Sequence, residues 1–222
     1  MFKALLVWTK RLVLIISWIL QTIVVTGCSK TSSLGVYLLR VSNKFGDASF
    51  GFGNTCVRET NVTTTCTNTA KLLPGSPTVD LVNLRTKFVN EKVHPWLVYL
   101  SYALLTGYFL STLLNSLPLL KNVNVFVRVM IPLGVSSTIM NLIALAFVNI
   151  SVCSFALAFN NNTSSSINID AGQHMLGMFW TALVLVFVAT VADSILLATE
   201  SKSSKSETIP AAEKQGTFRR LP

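Results

Sequence analysis

Two cysteines and a glycosylation sequon in one polar segment are the residues of this chain whose chemistry is easiest to read. Cys56 and Cys66 are close in sequence, and Asn61-Val62-Thr63 lies between them. Disulfides persist in oxidising compartments, and cytosolic asparagines are not glycosylated. We therefore expect this segment to face the exoplasmic side, where a disulfide would close a short loop and contribute roughly 2 to 3 kcal/mol. Two free thiols in an irregular loop are the alternative.

Four long apolar segments flank the polar segment and predict a helical membrane bundle. An α-helix crosses the hydrocarbon core with about 20 residues, and a lipid-exposed backbone must pair its polar groups internally. The chain has 222 residues, of which 51% are hydrophobic and 12% charged, so a separate soluble domain of ordinary size does not fit. The predicted spans are Leu5–Gly27, Trp96–Leu120, Val125–Phe159 and Met175–Ala198.

The polar segment itself has the composition of a small sheet. Gly35–Val41 is rich in β-branched and aromatic residues, and a second candidate strand ends in Phe50–Val57. Gly51 and Gly53 flank Phe52, which indicates a bulge or a close backbone approach. The predicted fold class is an all-α membrane four-helix bundle with a small exoplasmic antiparallel β-sheet.

These elements divide the chain into four predicted parts. The polar composition of the last part indicates a disordered cytoplasmic tail. The parts are the N-terminus and first transmembrane helix (1–27), the exoplasmic β-rich loop (28–93), transmembrane helices two to four with short loops (94–200), and the tail (201–222).

Basic residues and sequons together predict the orientation. Lys and Arg side chains at the amino terminus, in the turn after the second span and in the tail favour cytoplasmic termini. Asn161 and Asn162 begin overlapping sequons between the third and fourth spans, on the same side as Asn61. The sequence thus predicts a multi-pass plasma-membrane protein with exoplasmic loops and three candidate glycosylation sites.

The first apolar segment has two interpretations. Lys3, Lys10 and Arg11 precede an apolar run, as in a cleaved signal peptide. The favoured interpretation is an uncleaved anchor in which Lys10 and Arg11 extend to the membrane interface. Cleavage would leave three spans.

Several polar residues near the spans have a structural and a functional interpretation. Asp193 is the only acid in the predicted membrane region, and we expect it at the inner interface, with a cation or proton role as the alternative. His94 and His174 are expected at the outer ends of spans as hydrogen-bonding groups. Cys28 and Cys153 are expected near the outer boundary, either as a second disulfide or as two thiols.

Small and polar residues inside the spans predict close helix packing. Ala103, Gly107 and Ser111 recur every four residues on the second span. We expect them to pack within the chain, with a homo-oligomer interface as the alternative. The third span carries a polar patch that should supply interhelical hydrogen bonds: Ser136, Ser137, Thr138 and Asn141.

The sequence contains no pattern typical of an enzyme. It has no metal-ligand spacing, no phosphate-binding glycine loop and no nucleophile with an evident base, so we predict no catalytic residues, metal or cofactor. The net charge of +9 indicates contact with anionic lipid rather than nucleic acid, because no aromatic-interleaved basic groove accompanies it.

The residues Gly51, Phe52, Gly53, Cys56 and Cys66 resemble the signature of the claudin superfamily, in which glycine and bulky positions precede a close cysteine pair. Gly53 stands where animal claudins have tryptophan. The chain is more similar to the fungal claudin-like family described as calcium regulator and membrane fusion proteins, induced during mating. The resemblance covers about Cys28–Leu120 and is carried by Cys28, Gly35–Val41, Gly51–Cys66, Val79–Leu84 and His94–Leu97.

This resemblance implies a plasma-membrane tetraspan that supports low-affinity calcium influx and cell fusion. The implied partners are the lipid bilayer, calcium-channel components or other membrane proteins, and a second copy of the chain. The first loop offers few scattered acids, whereas Ca²⁺ takes six to eight oxygen ligands, so a regulator fits better than a channel or sensor. The alternative is a scaffold similar to eisosome-associated tetraspans, which organises cortical membrane domains or cell-wall architecture.

Overall fold

The computed structural model describes residues 2–27, 36–43, 46–52, 54–59, 65–68, 93–116, 124–160 and 168–206. Within these residues the chain forms long helices and short strands in the order α1, β1, β2, β3, β4, α2, α3, β5 and α4. The helices are α1 (Phe2–Thr26), α2 (Pro95–Leu114), α3 (Asn124–Asn160) and α4 (Gln173–Ser206). The strands are β1 (Leu39–Asn43), β2 (Gly46–Phe50), β3 (Asn54–Glu59), β4 (Thr65–Asn68) and β5 (Asn168–Ala171).

Each of the four helices contains an apolar stretch that is long enough to cross a membrane, judged by length and composition. Large apolar side chains such as Ile16, Leu142 and Val184 remain exposed on the outside of the bundle. Lipid can cover such side chains, whereas water cannot do so favourably. The predicted four-span, multi-pass membrane protein is confirmed, with spans at Leu5–Thr26, Pro95–Leu114, Val129–Ala158 and Gln173–Thr199.

Two helix ends differ from the prediction. Helix α2 ends at Leu114 instead of Leu120. The amide N–H of Ser116 bonds to Leu113 O, three residues back, at 3.0 Å, which is the tighter turn common at helix ends, and Pro118 disfavours helical backbone at the residue before it. Helix α4 continues to Ser206, where the sequence predicted a disordered tail from Ser201.

The strands form one antiparallel sheet with the order β4-β3-β2-β1-β5. The predicted second strand is in fact two strands, since β2 ends at Phe50 and β3 begins at Asn54, and the Gly51 amide donates to Asn54 O at 2.9 Å. Strand β5 was not predicted. It comes from the segment between α3 and α4 and pairs with β1 from Leu39↔Ala171 to Ser42↔Asn168, so the sheet unites both loops.

The sheet and the helices share one hydrophobic core. Buried residues of the sheet and of the adjacent helix ends belong to a single cluster, so the sheet stands directly on one end of the bundle, which we call the sheet end. At this end α1 and α3 finish, and α2 and α4 begin. The largest contributors include Leu38, Phe50, Phe52, Ile169, Leu97, Leu145, Met175 and Phe179.

Gly172 joins β5 to α4, and it lies very close to the backbone of the two residues that precede β1. Its amide donates to Leu38 O at 3.0 Å, and a Cβ placed on Gly172 would lie 1.6 Å from Tyr37 O. Such a separation is far below van der Waals contact, so any side chain here would push β5 and α4 away from β1. Nothing in the sequence pattern predicts this close contact.

We expect Gly172→Ala to destabilise the protein by about 1 to 3 kcal/mol or more, because the new methyl group displaces backbone that no rotamer change can relieve. Gly177→Ala is the matched control, since a Cβ there meets nothing within 4 Å. Thermal unfolding of both variants in detergent measures the difference. Equal melting temperatures for the two variants would contradict this account of the junction.

Candidate functional site

The signature residues that the structure describes lie in β3, in β4 and just before β3. The structure joins Cys56 and Cys66 in a disulfide between β3 and β4, where they are in-register partners. Phe52 lies in the turn before β3, yet it is buried in the core shared with the helices. The disulfide therefore fixes the outer hairpin, and Phe52 anchors the sheet to the bundle. Gly53 lies outside the described residues.

An ion pair crosses the first two strands. Arg40 Nη2 donates to Asp47 Oδ2 at 2.5 Å, and both side chains are partly exposed. The hydrogen bond to Asp47 raises the pKa of the Arg40 guanidinium. Because Asp47 already has a cationic partner, it is poorly suited as a calcium ligand.

The structure places the other predicted site residues in several different environments. No group of three or more His, Cys, Asp or Glu within the described ranges is placed to hold a metal ion. His94 precedes α2 and packs edge-on against Phe147, with ring centroids 6.4 Å apart. His174 is exposed in the first turn of α4, and Cys153 is an exposed free thiol. The glycosylation candidates and one cysteine lie outside the described residues: Asn61, Asn161, Asn162 and Cys28.

A charged cluster is buried in the bundle, far from the sheet end. Lys10 Nζ donates to Asp193 Oδ1, and Tyr108 Oη donates to Asp193 Oδ2 at 2.5 Å. The side chains of Lys10 and Asp193 are each only 7% exposed. The expectation that both residues face the membrane interface is therefore wrong. Each charge is paired with the opposite charge on another helix. This pairing costs less free energy in the membrane than exposing each charge separately to lipid.

This cluster gives α1 a structural role in the mature bundle. Lys10 is on α1, Tyr108 on α2 and Asp193 on α4, so three helices meet at one carboxylate. Removal of α1 as a signal peptide would leave Asp193 without its cation. Since an unpaired buried charge costs several kcal/mol, the contact supports the interpretation of α1 as a retained anchor.

Close helix packing occurs at a different glycine from the one expected. A Cβ on Gly107 would meet nothing within 4 Å, and Ala103 is exposed, so the expected intramolecular packing of this stripe is wrong at both positions. A Cβ on Gly134 would lie 3.0 Å from Thr190 Oγ1 and 3.2 Å from Tyr108 Cζ. Gly134 lets α3 approach the helices that carry Tyr108 and Thr190.

Comparisons with known proteins show which family the chain belongs to. A family model described as "Ca2+ regulator and membrane fusion protein Fig1" matches residues 40–199, which is well over half of the chain. The chain belongs to the Fig1 family. The cell fusion protein dni1 of Schizosaccharomyces pombe is 28% identical over 197 residues, which cover 89% of this chain and 84% of the relative. The fungal family expected from the sequence is confirmed.

Both limits of the Fig1 match fall inside elements of the structure. The match begins at Arg40 in β1 and ends at Thr199 in α4. It thus includes the sheet, the disulfide, α2, α3 and most of α4. Asp193 and Tyr108 lie inside the match, whereas their partner Lys10 lies before it.

We expect Asp193→Asn to destabilise the bundle by about 3 to 5 kcal/mol, because it leaves the Lys10 ammonium buried without a counter-charge. The double variant Lys10→Met/Asp193→Asn should recover most of the loss, since the ammonium is gone and the substituted amide can still accept from Tyr108. Asp170→Asn, at an exposed strand position, is the control. Unfolding in detergent tests the series, and a double variant no more stable than Asp193→Asn would contradict the pairing.

Proposed function

We propose that this protein regulates a low-affinity calcium influx pathway of the plasma membrane and promotes membrane fusion during fungal mating. The observation that carries the proposal is the Fig1 family match, which spans nearly all of the sheet, helices α2 and α3, and most of α4. The name of the Schizosaccharomyces pombe relative, a cell fusion protein, supports the fusion part.

The sheet is the part of the molecule that we assign to contact with partners. We place it on the exoplasmic side and both termini in the cytoplasm, which an even number of spans permits. Its claudin-like character rests on the disulfide-linked hairpin and on a sheet that packs directly onto the helix ends. A sheet fixed to the bundle in this way can transmit a contact outside the cell to the helices within the membrane.

The protein acts in this proposal as a regulator and not as an enzyme or a calcium sensor. Asp47, one of the few acids of the first loop, is held by Arg40. Calcium entry would then pass through channel components that the protein contacts in the bilayer. The scaffold alternative gains no support from the family or the relative.

The proposed topology makes Asn61 available for glycosylation. We expect Asn61→Gln to remove a glycosidase-sensitive shift in electrophoretic mobility. Asn149→Gln is the matched control, because its sequon lies within α3 and should carry no glycan. Protease access to the first loop from the cytoplasmic side would contradict the topology.

We expect the double variant Cys56→Ser/Cys66→Ser to reduce mating-associated calcium uptake and cell fusion severalfold at matched surface levels. Loss of the disulfide removes roughly 2 to 3 kcal/mol of constraint on the β3–β4 hairpin. Cys153→Ser is the control, since that thiol is free and exposed. Calcium uptake and fusion frequency in mating cells are the two measurements. Normal values for the double variant would remove the sheet from the proposed mechanism.

A further inference from the structure

One face of helix α1 is buried in the bundle. The residues of this face form a row in which neighbours are three or four positions apart in sequence. The row includes polar residues although most residues of the helix are apolar, and it runs from the charged cluster toward the sheet end. Gln21 belongs to this row and is completely buried, at 0% exposure. The buried members are Lys10, Leu14, Ser17, Gln21 and Val24.

Gln21 lies at the centre of a hydrogen-bonded group from three helices. Its Nε2 donates to Ser101 Oγ on α2 at 3.0 Å and to Asn141 Oδ1 on α3 at 2.6 Å. Ser101 in turn donates to Val98 O at 2.8 Å. Asn141 Nδ2 donates to Ser137 O at 3.0 Å and reaches Ser137 Oγ at 3.4 Å.

The orientation of the two amides is fixed by this group. Ser137 O can only accept, so it holds the NH₂ of Asn141 and points Asn141 Oδ1 toward Gln21. Gln21 must then present its own NH₂ to that oxygen. A reversed Gln21 amide would place two acceptors against each other at 2.6 Å.

With that orientation, one polar atom is left over. Gln21 Oε1 is buried, and no described residue donates a hydrogen bond to it. An unsatisfied buried acceptor costs about 1 to 3 kcal/mol, and buried polar atoms are rarely left without a partner. The atom therefore requires a donor or a cation that is not part of the described chain.

The chemistry of the group favours a neutral donor over a cation. Asn141 Oδ1 and Ser101 Oγ already accept from Gln21 Nε2, so N–H protons point at the oxygens that a cation would need. The group contains no carboxylate, and hard cations such as Ca²⁺ take six or more oxygen ligands. A water molecule needs only two to four polar partners, which the amide and hydroxyl groups here can supply.

We propose that Gln21, Ser101, Ser137 and Asn141 hold one buried water molecule between α1, α2 and α3, and that this water donates to Gln21 Oε1. The site lies in the sheet-end half of the bundle, whereas the Lys10–Asp193–Tyr108 cluster satisfies its own charges by direct contact. Helix α1 is thus attached by a direct ion pair at one level, and at the other by the direct hydrogen bonds of Gln21 together with an exchangeable water.

The test measures water at Gln21 in the full chain. The protein has three glutamines, Gln21, Gln173 and Gln215, so Gln173→Met/Gln215→Met leaves Gln21 alone. The variant is labelled with ¹³C at glutamine Cδ, reconstituted in lipid vesicles, and examined by solid-state NMR that transfers magnetisation from water. Exposed Gln173 Cδ, measured in Gln21→Met/Gln215→Met, is the wet reference, and the fully buried Leu105 side chain, observed in a second sample labelled with ¹³C at leucine, is the dry reference.

We expect the signal of Gln21 Cδ to build up from water severalfold faster than that of Leu105. The isotope-edited carbonyl stretch of Gln21 should also appear at the lowered frequency of a hydrogen-bonded amide. Transfer to Gln21 as slow as to Leu105, together with a stretch at the frequency of a free amide, would overturn the proposal. A lowered stretch that depends on added Na⁺, K⁺ or Ca²⁺, without transfer from water, would overturn it in favour of a cation.

Discussion

Polar groups buried inside a membrane bundle must find their partners within the protein, because neither lipid nor bulk water can supply them. This constraint decides how the four helices are arranged. Asp193 accepts from Lys10 and Tyr108 on two other helices. Hydroxyl groups on the spans bond back to carbonyls one turn earlier, as Thr138 does to Gly134 and Thr190 does to Val186. The bundle is thus held by specific polar contacts as well as by packing.

The sheet depends on that bundle for its position. Its first strand pairs with β5, which leads through Gly172 into α4, and its buried face shares a core with the helix ends. A small isolated hairpin is marginally stable in water, so the helix ends and the disulfide supply support that the strands lack by themselves. In this Fig1 family protein the sheet and the membrane helices thus share one core.

The signature residues acquire a structural meaning from this arrangement. Gly51 lies in a tight turn, Phe52 fills the core beneath the sheet, and Cys56 closes the outer hairpin with Cys66. They build the sheet and attach it to the helices. Arg40 and Asp47, which are paired with each other, are more exposed than these residues.

The sequence alone determined the features that depend on local composition and length. Four apolar runs specified four spans, and the close spacing of Cys56 and Cys66 indicated their pairing, because membrane thickness and short loop closure act over neighbouring residues. Strand β5 and the Gly172 contact could not be predicted, since Asn168–Ala171 becomes a strand only through its pairing with β1. Lys10 and Asp193 are separated by most of the chain, and hydropathy places each near a helix end. Only the tertiary structure shows them in contact, because the angle at which each helix faces its neighbours is set by packing among all four.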